Sequence, residues 1–191
     1  MQYELETTDV SLDLFGSAKS KLIDKRITKN REKPFVLMLR AARSAKNFLV
    51  SKKARSITIF IGKGNNGDDG LCLAALLKIE NIKTHIIDLD YKNRSESQAY
   101  KLCIDLGIKV ERFNRGKIPR SDWYVDSVFG IGLNRDLQGN YLRAINYLQC
   151  SKSKKILSLD LPSGLDGSKG IVFNSSVKAT ATITFLTLKP G

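Results

Sequence analysis

The stretch Gly62-Lys63-Gly64-Asn65-Asn66-Gly67-Asp68-Asp69-Gly70 follows directly on the β-branched run Ser56-Ile57-Thr58-Ile59-Phe60-Ile61 and leads into the apolar run Leu71 to Ile79. A buried strand that runs into a glycine- and amide-rich turn and then a helix is how an α/β protein builds a nucleotide-phosphate site. The literal G-x-G-x-x-G at Gly62, Gly64 and Gly67 is weak evidence alone, but here the strand before it and the helix after it are both readable. Asn65-Asn66 and Asp68-Asp69 lie outside that fingerprint and ask for a reason of their own.

The 191 residues suit one domain with a single core. Cys72, Cys103 and Cys150 are far apart, odd in number and without C-x-x-C spacing, so neither a disulfide framework nor a zinc site is indicated and a reducing cytoplasm fits. Met1 to Val10 lack the basic start and apolar core of a signal peptide, and no later apolar run approaches a membrane span. The formal charge of +13 favours contact with phosphates, whether of nucleotides, RNA or a membrane surface, without choosing among them. Lys19, Lys21, Lys25, Arg26, Lys29, Arg31 and Lys33 make residues 1–33 a basic N-terminal segment, read as helical. Its charges are either a solvated face or a polyanion site.

From Pro34 the apolar positions Phe35, Met38, Ala42, Ala45, Phe48 and Leu49 recur at three and four, which predicts an amphipathic helix with proline in its first turn. Beyond the first strand and its helix, strands are expected at Thr84 to Leu89, Ile108 to Phe113, Trp123 to Phe129, Lys155 to Leu159 and Ala181 to Phe185. Helices are expected at Ser95 to Leu106 and Tyr141 to Cys150. This alternation predicts an α/β fold, a Rossmann-like three-layer αβα sandwich with a mostly parallel central sheet, over residues 34–191. Ligands bind outside the carboxyl ends of such strands. The turns Gly62 to Gly70, Gly130 to Gly139 and Asp160 to Gly170 should therefore meet on one rim.

Asp160, at the end of the strand Ser158-Leu159-Asp160, is the best acid/base candidate, with a turn cap as the alternative. Asp126 sits inside the apolar run Val125 to Phe129, where an unpaired charge is costly. Two partners are open to it: a hard cation shared with the oxygen-bearing side chains of Asn66 and Ser163, or hydrogen bonds from backbone and hydroxyl groups. Arg135 offers a forked contact to phosphate, or is a surface arginine. His85, the sole histidine, lies in a strand, which argues against a histidine triad or a multi-histidine metal site.

Four segments together resemble the YjeF N-terminal family, the NAD(P)H-hydrate epimerases. The family's G-x-G-N-N-G-G-D-G stands at Gly62 to Gly70, its D-x-x-F-G-x-G-L-x-R at Asp126 to Arg135, its D-I-P-S-G-x-D at Asp160 to Asp166, and its K-P-G at Lys189-Pro190-Gly191. The resemblance implies a Rossmann-like epimerase acting on hydrated NADH and NADPH. It implies that Asn65, Asn66, Gly67, Asp68 and Asp69, with Gly130, Ile131, Gly132, Leu133, Asn134, Arg135 and Asp136, hold the nucleotide. Asp160 would contact the reacting ring, and Asn66, Asp126 and Ser163 would ligate a potassium ion. It also implies a dehydratase domain or partner, allows a homodimer, and implies a final strand beyond the last residue of this chain.

Where the family has glycine this chain has Asp68, which adds a negative charge to a phosphate-handling turn and backbone strain if the position needs positive φ. If Asp68 faces solvent instead, little changes. The family's L-M-E-x-A-G is Leu37-Met38-Leu39-Arg40-Ala41-Ala42, and its threonine in the second loop is Ile131. These departures keep two other functions open. One is a nicotinamide-dependent oxidoreductase with Asp88 or Asp90 on a ribose; the other is a non-catalytic module binding a nucleotide, RNA or a protein.

Overall fold

The computed structural model describes residues 19, 22, 34–90, 97–150 and 154–185. The basic segment 1–33 lies outside the described residues apart from Lys19 and Leu22, both helical, as does the K-P-G end. The elements run α1 (Pro34–Ser51), β1 (Ser56–Ile61), α2 (Asn65–Ile79), β2 (Lys83–Asp88), α3 (Gln98–Asp105), β3 (Val110–Arg112), β4 (Trp123–Ser127), α4 (Gly139–Gln149), β5 (Lys155–Leu159) and β6 (Ala181–Ile183). Six strands form one sheet in the order β3-β2-β1-β4-β5-β6, and every pairing is parallel.

Burial on both faces explains the near-continuous apolar strands. One face is covered by α1, α2 and α3 around Ala42, Ala45, Leu49, Leu73 and Leu77. The other carries α4, with Ile145 and Leu148 against Phe60, Tyr124 and Ile156. Small residues at Ala42 and Ala45 let α1 lie close on its neighbours, and Phe48 meets Trp123 edge-on with ring centroids 5.4 Å apart. No helix among the described residues is long and apolar enough to cross a membrane.

Three helices stop in the same way. Lys53, Asn81 and Gly107 have φ of 55°, 58° and 67°, and the next amides, of Ala54, Ile82 and Ile108, bond back to the carbonyls of Leu49, Leu77 and Cys103. This is the Schellman arrangement, in which a left-handed residue satisfies the last carbonyls and an apolar residue follows it into the core.

Several boundaries differ from the sequence reading: β2 and α4 begin one and two residues early, β6 ends at Ile183 rather than Phe185, and α2, β4 and β3 differ more. Helix α2 begins at Asn65, not Leu71, so most of the expected turn is helical. Asn, Gly and Asp are poor helix formers, but close packing overrides propensity here. A Cβ on Gly67 would lie 2.0 Å from the Gly62 carbonyl oxygen, and one on Gly70 would lie 2.5 Å from Ser127 Oγ. Strand β4 ends at Ser127 because the next two amides turn away from the sheet, Val128 N–H to Asp126 Oδ1 and Phe129 N–H to Ser163 Oγ. The edge strand β3 is three residues long, shorter than expected.

The tightest of these approaches predicts its own stability effect. Gly164 has φ of 98°, and a Cβ there would fall 1.9 Å from the Ser175 carbonyl oxygen, whereas one on Gly132 meets nothing within 4 Å. Gly164→Ala should lose at least about 3 kcal/mol in urea unfolding, while Gly132→Ala stays within about 0.5 kcal/mol of the parent.

Candidate active site

Between β1 and β4 the strand order reverses, so the loops leaving these neighbours diverge and open a crevice at the carboxyl ends. A cavity of about 1660 Å³ fills it. Its walls are Lys63 to Asn66 and Asp69 after β1, Val128 to Leu133 with Arg135 and Asp136 after β4, and Asp160 after β5. The opposite wall comes from α1, through Leu37, Met38, Arg40, Ala41 and Ser44.

Close backbone approach builds the β1 side. The Gly62 amide donates to the Ser127 carbonyl at 3.1 Å, and a Cβ on Gly62 would meet the Val128 oxygen at 2.2 Å. Gly64, with φ of 111°, caps α2 without a side chain of its own, so the first amides of the helix have no capping oxygen from this residue. Such an N-terminus favours an anion. Asn66 is held by its carbonyl, which accepts from Ser127 Oγ. Its side-chain Nδ2 and Oδ1 are both buried without a partner. An amide left so costs about 1–3 kcal/mol per unmet group, a cost that a bound ligand offsets.

Asp126 is fully buried beside Ser158 in the β4–β5 register. Its carboxylate accepts from Ser163 Oγ at 2.5 Å, Ser163 N at 2.8 Å, Ser158 Oγ at 2.8 Å and Val128 N at 3.3 Å. Of the two partners open from sequence, hydrogen bonds are the ones seen. Burial pushes this carboxyl above the usual carboxylate range, while the donors from Ser163, Ser158 and Val128 pull it back.

Asp160 leaves β5 with φ of 65°, a left-handed conformation unusual for a residue with a side chain. Its amide donates to Ile183 at 2.7 Å, and its Oδ2 accepts from Ile131 N at 3.3 Å. A Cβ on Gly130 would lie 2.6 Å from that oxygen, so a side chain there would push the carboxylate out of its place. The carboxylate therefore stands against the backbone of the second loop, inside the cavity wall. Asp166 instead caps its own turn, accepting from Ser168 N and Lys169 N, which holds its carboxyl below the usual range.

The cavity gathers Asn65, Asn66, Asp69, Gly130, Ile131, Gly132, Leu133, Arg135, Asp136 and Asp160. Gly67, Asp68 and Asn134 are not among its walls, and Asp126 and Ser163 lie buried behind it. Asp88 and Asp90, the ribose-binding alternatives, do not line it either; Asp88 is buried and accepts from Asp90 N. Arg40, Ser44, Lys63 and Tyr141 were not anticipated. Arg40 and Ser44 flank the apolar stripe of α1 that was read as core alone, and Tyr141 packs on Phe129 with ring centroids 4.8 Å apart. No thiolate is at hand near the start of α2, because burial first and Asp69 second push the Cys72 thiol up to about 12.

The donor set near Asn66 suits a hard monovalent cation. The one observation that bears on it is the unpartnered amide oxygen of Asn66, since Asp126 and Ser163 are bonded to each other; no cluster of three or more His, Cys, Asp or Glu among the described residues could hold a metal.

The family model for the YjeF-related protein N-terminus matches residues 34–191. The chain belongs to this family. An NAD(P)H-hydrate epimerase of Levilactobacillus brevis is 33% identical over 161 residues, 82% of this chain and 74% of that protein. The bifunctional NAD(P)H-hydrate repair enzyme Nnr of Coxiella burnetii is 31% identical over 82% of this chain, and the match spans 33% of that protein. A crystal structure of yeast ynu0, YNL200c, with 22% identity, superposes with a TM-score of 0.84 over 94% of this chain and 82% of that one, so the two share a fold.

The departures from the YjeF pattern now have places. Asp68 is helical, not at positive φ, and accepts from Ser97 Oγ at 2.9 Å, tying α2 to the cap of α3. Leu39 packs on the core. Ile131 meets Asp160 through its backbone amide, so the change of side chain from threonine leaves that contact intact.

The Asp126 cluster predicts a pH signature. A carboxyl raised on folding takes up a proton as the chain folds, so its contribution is present at low pH and lost as pH rises from about 4 through the raised native value. Ser163→Ala removes a donor to the carboxylate and raises it further. The variant should lose about 1.5–3 kcal/mol at pH 8 and less at pH 5, measured as urea midpoints against the parent at both pH values.

Proposed function

We propose that this chain interconverts the R and S forms of hydrated NADH and NADPH, as the epimerases it resembles are named to do. The observation that carries the reading is Asp160, held in a left-handed backbone against Gly130 and Ile131 at the wall of the switch-point cavity. Outliers of that kind concentrate at active sites, and relief of this one would be expected if the position served packing alone.

The amides at the start of α2, with Lys63, Arg40 and Arg135, offer the positive field that a dinucleotide's phosphates need. The hydrated ring then lies toward Asp160. Its hydroxyl sits on a carbon beside the ring nitrogen, whose lone pair drives the C–O bond to break. Asp160 gives the departing oxygen a proton, so water leaves and the ring becomes an iminium-like cation facing the carboxylate. Water then adds to either face and returns a proton to Asp160. Atoms and charge balance, and the product differs from the substrate only in configuration.

Potassium belongs to the same proposal. Asn66 Oδ1 and Ser163, with the charge of Asp126, would hold it, and the ion would supply a fixed positive charge beside the phosphate-binding loop. A companion dehydratase, on a separate chain or domain, would consume one epimer; the bifunctional relative supports that pairing.

The test is chromatographic. Pure R or S hydrate of NADPH incubated with the protein should reach the equilibrium mixture at least about 100-fold faster than alone, and Asp160→Asn should remove most of that acceleration. Unaccelerated interconversion by the parent protein would sink the enzyme reading, and parental rates in Asp160→Asn would sink the role of this carboxylate. Potassium has its own readout. It should raise the melting temperature relative to tetramethylammonium at equal ionic strength, and Asn66→Ala should abolish the difference.

A further inference from the structure

The end of the sheet opposite the cavity carries an exposed cation at the start of every strand. These are Lys109 before β3, Lys83 in β2, Arg55 before β1, Arg120 before β4, Lys155 in β5 and Lys178 before β6. Taken in sheet order they form a staggered row across six strands, roughly 24 Å wide at ~4.8 Å per strand, with Lys109 level with His85, two residues beyond Lys83. Lys52 and Lys53, just past the end of α1, and Lys78, in the last turn of α2, lie on the same end. The acids there are few. Among the described residues Glu80 is paired with Lys46 at 2.7 Å and Asp122 accepts the backbone amides of Arg55 and Ser56, which leaves Asp105 and, two residues beyond Lys109 on the edge strand, Glu111.

Helix dipoles do not account for the row. The last turns of α1, α3 and α4 hold no basic residue, and sheets have little dipole to offset. The cations stand past the helices, on the strands. In three connections the left-handed residue and an apolar successor, Ala54, Ile82 or Ile108, are followed at once by Arg55, Lys83 or Lys109.

The same three connections expose large aliphatic side chains. Val50, Ile79 and Ile104, near the ends of α1, α2 and α3, are 43%, 65% and 50% exposed. The aromatics at this end are not free for bases to stack on, since Trp123 and Tyr124 are buried and Lys154 Nζ lies 3.6 Å from the Tyr147 ring centroid. Apolar side chains that reach the acyl boundary while lysines meet headgroup phosphates are the makeup of a surface that sits on an anionic bilayer.

We infer that this end of the protein docks on anionic phospholipid membranes, leaving the cavity at the other end open to solution. The inference does not rest on the epimerase reading.

Flotation with vesicles tests it. Binding is expected to phosphatidylcholine vesicles containing 30% phosphatidylglycerol, not to phosphatidylcholine alone, and is expected to fall away between 0.15 and 0.5 M salt. Lys83→Gln and Lys109→Gln should each weaken it about fivefold. Ile79→Ser and Ile104→Ser, which keep the charge, should each weaken it by about fivefold as well. Far-UV circular dichroism and melting temperature confirm that these surface variants fold. No binding to the anionic vesicles overturns the inference. So does binding that the two serine variants leave unchanged, which would mark a purely electrostatic surface. Tighter binding of a uridine oligomer than of vesicles, weakened by the lysine variants alone, would assign the row to nucleic acid instead.

Discussion

One buried carboxylate organises the working end of this protein. Asp126 sits mid-sheet with no exposure to water, and an ion in that position is tolerated only when its oxygens are met. The donors that meet it come from three places: Ser158 on the next strand, Ser163 in the loop beyond it, and Val128 just ahead in the chain. Satisfying the charge therefore pins β4, β5 and both of their loops to one another. Strand β4 is turned out of the sheet at Ser127, Gly130 and Ile131 are brought against Asp160, and the Asp160 loop is held from behind by Ser163. Removing the carboxylate would unpair four donors at once.

Around that anchor the local rules of stability are relaxed. Asp160 holds a left-handed backbone, both polar atoms of the Asn66 amide lack partners, and Gly62 and Gly67 are packed too closely against backbone for any side chain. Each feature disfavours the empty fold, and all of them lie at the cavity or directly beneath it. Proteins break local rules where a ligand restores the balance. The orphaned amide and the strained carboxylate thus both stand at the wall of one cavity.

Much of this was legible in the residues. The range of β5 was read to the residue because Lys155 and Asp160 bracket an unbroken apolar-and-hydroxyl run, and the helix from Pro34 followed from spacing alone. The start of α2 was not legible. Asn65 to Gly70 look like a turn by propensity, and only the approach of Ser127 and Gly62 makes helix the better choice. The strain that a positive φ would bring at Asp68 is absent because the position is helical, and its carboxylate accepts from Ser97 Oγ, twenty-nine residues away. Arg40 and Ser44 were hidden by the success of the amphipathic reading, which treats the flanks of an apolar stripe as solvent. The cation row was hidden because its members are scattered along the chain from Arg55 to Lys178 and meet only when the strands align.

The central claim is that the hydroxyl leaves as water and a water molecule returns. Epimerisation of one NADPH hydrate isomer in H₂¹⁸O, followed by mass spectrometry of the isomer that forms, tests this step directly. ¹⁸O is expected in the hydroxyl of the newly formed epimer, appearing at the rate of inversion and failing to appear with Asp160→Asn. Inversion that retains the original ¹⁶O would contradict it.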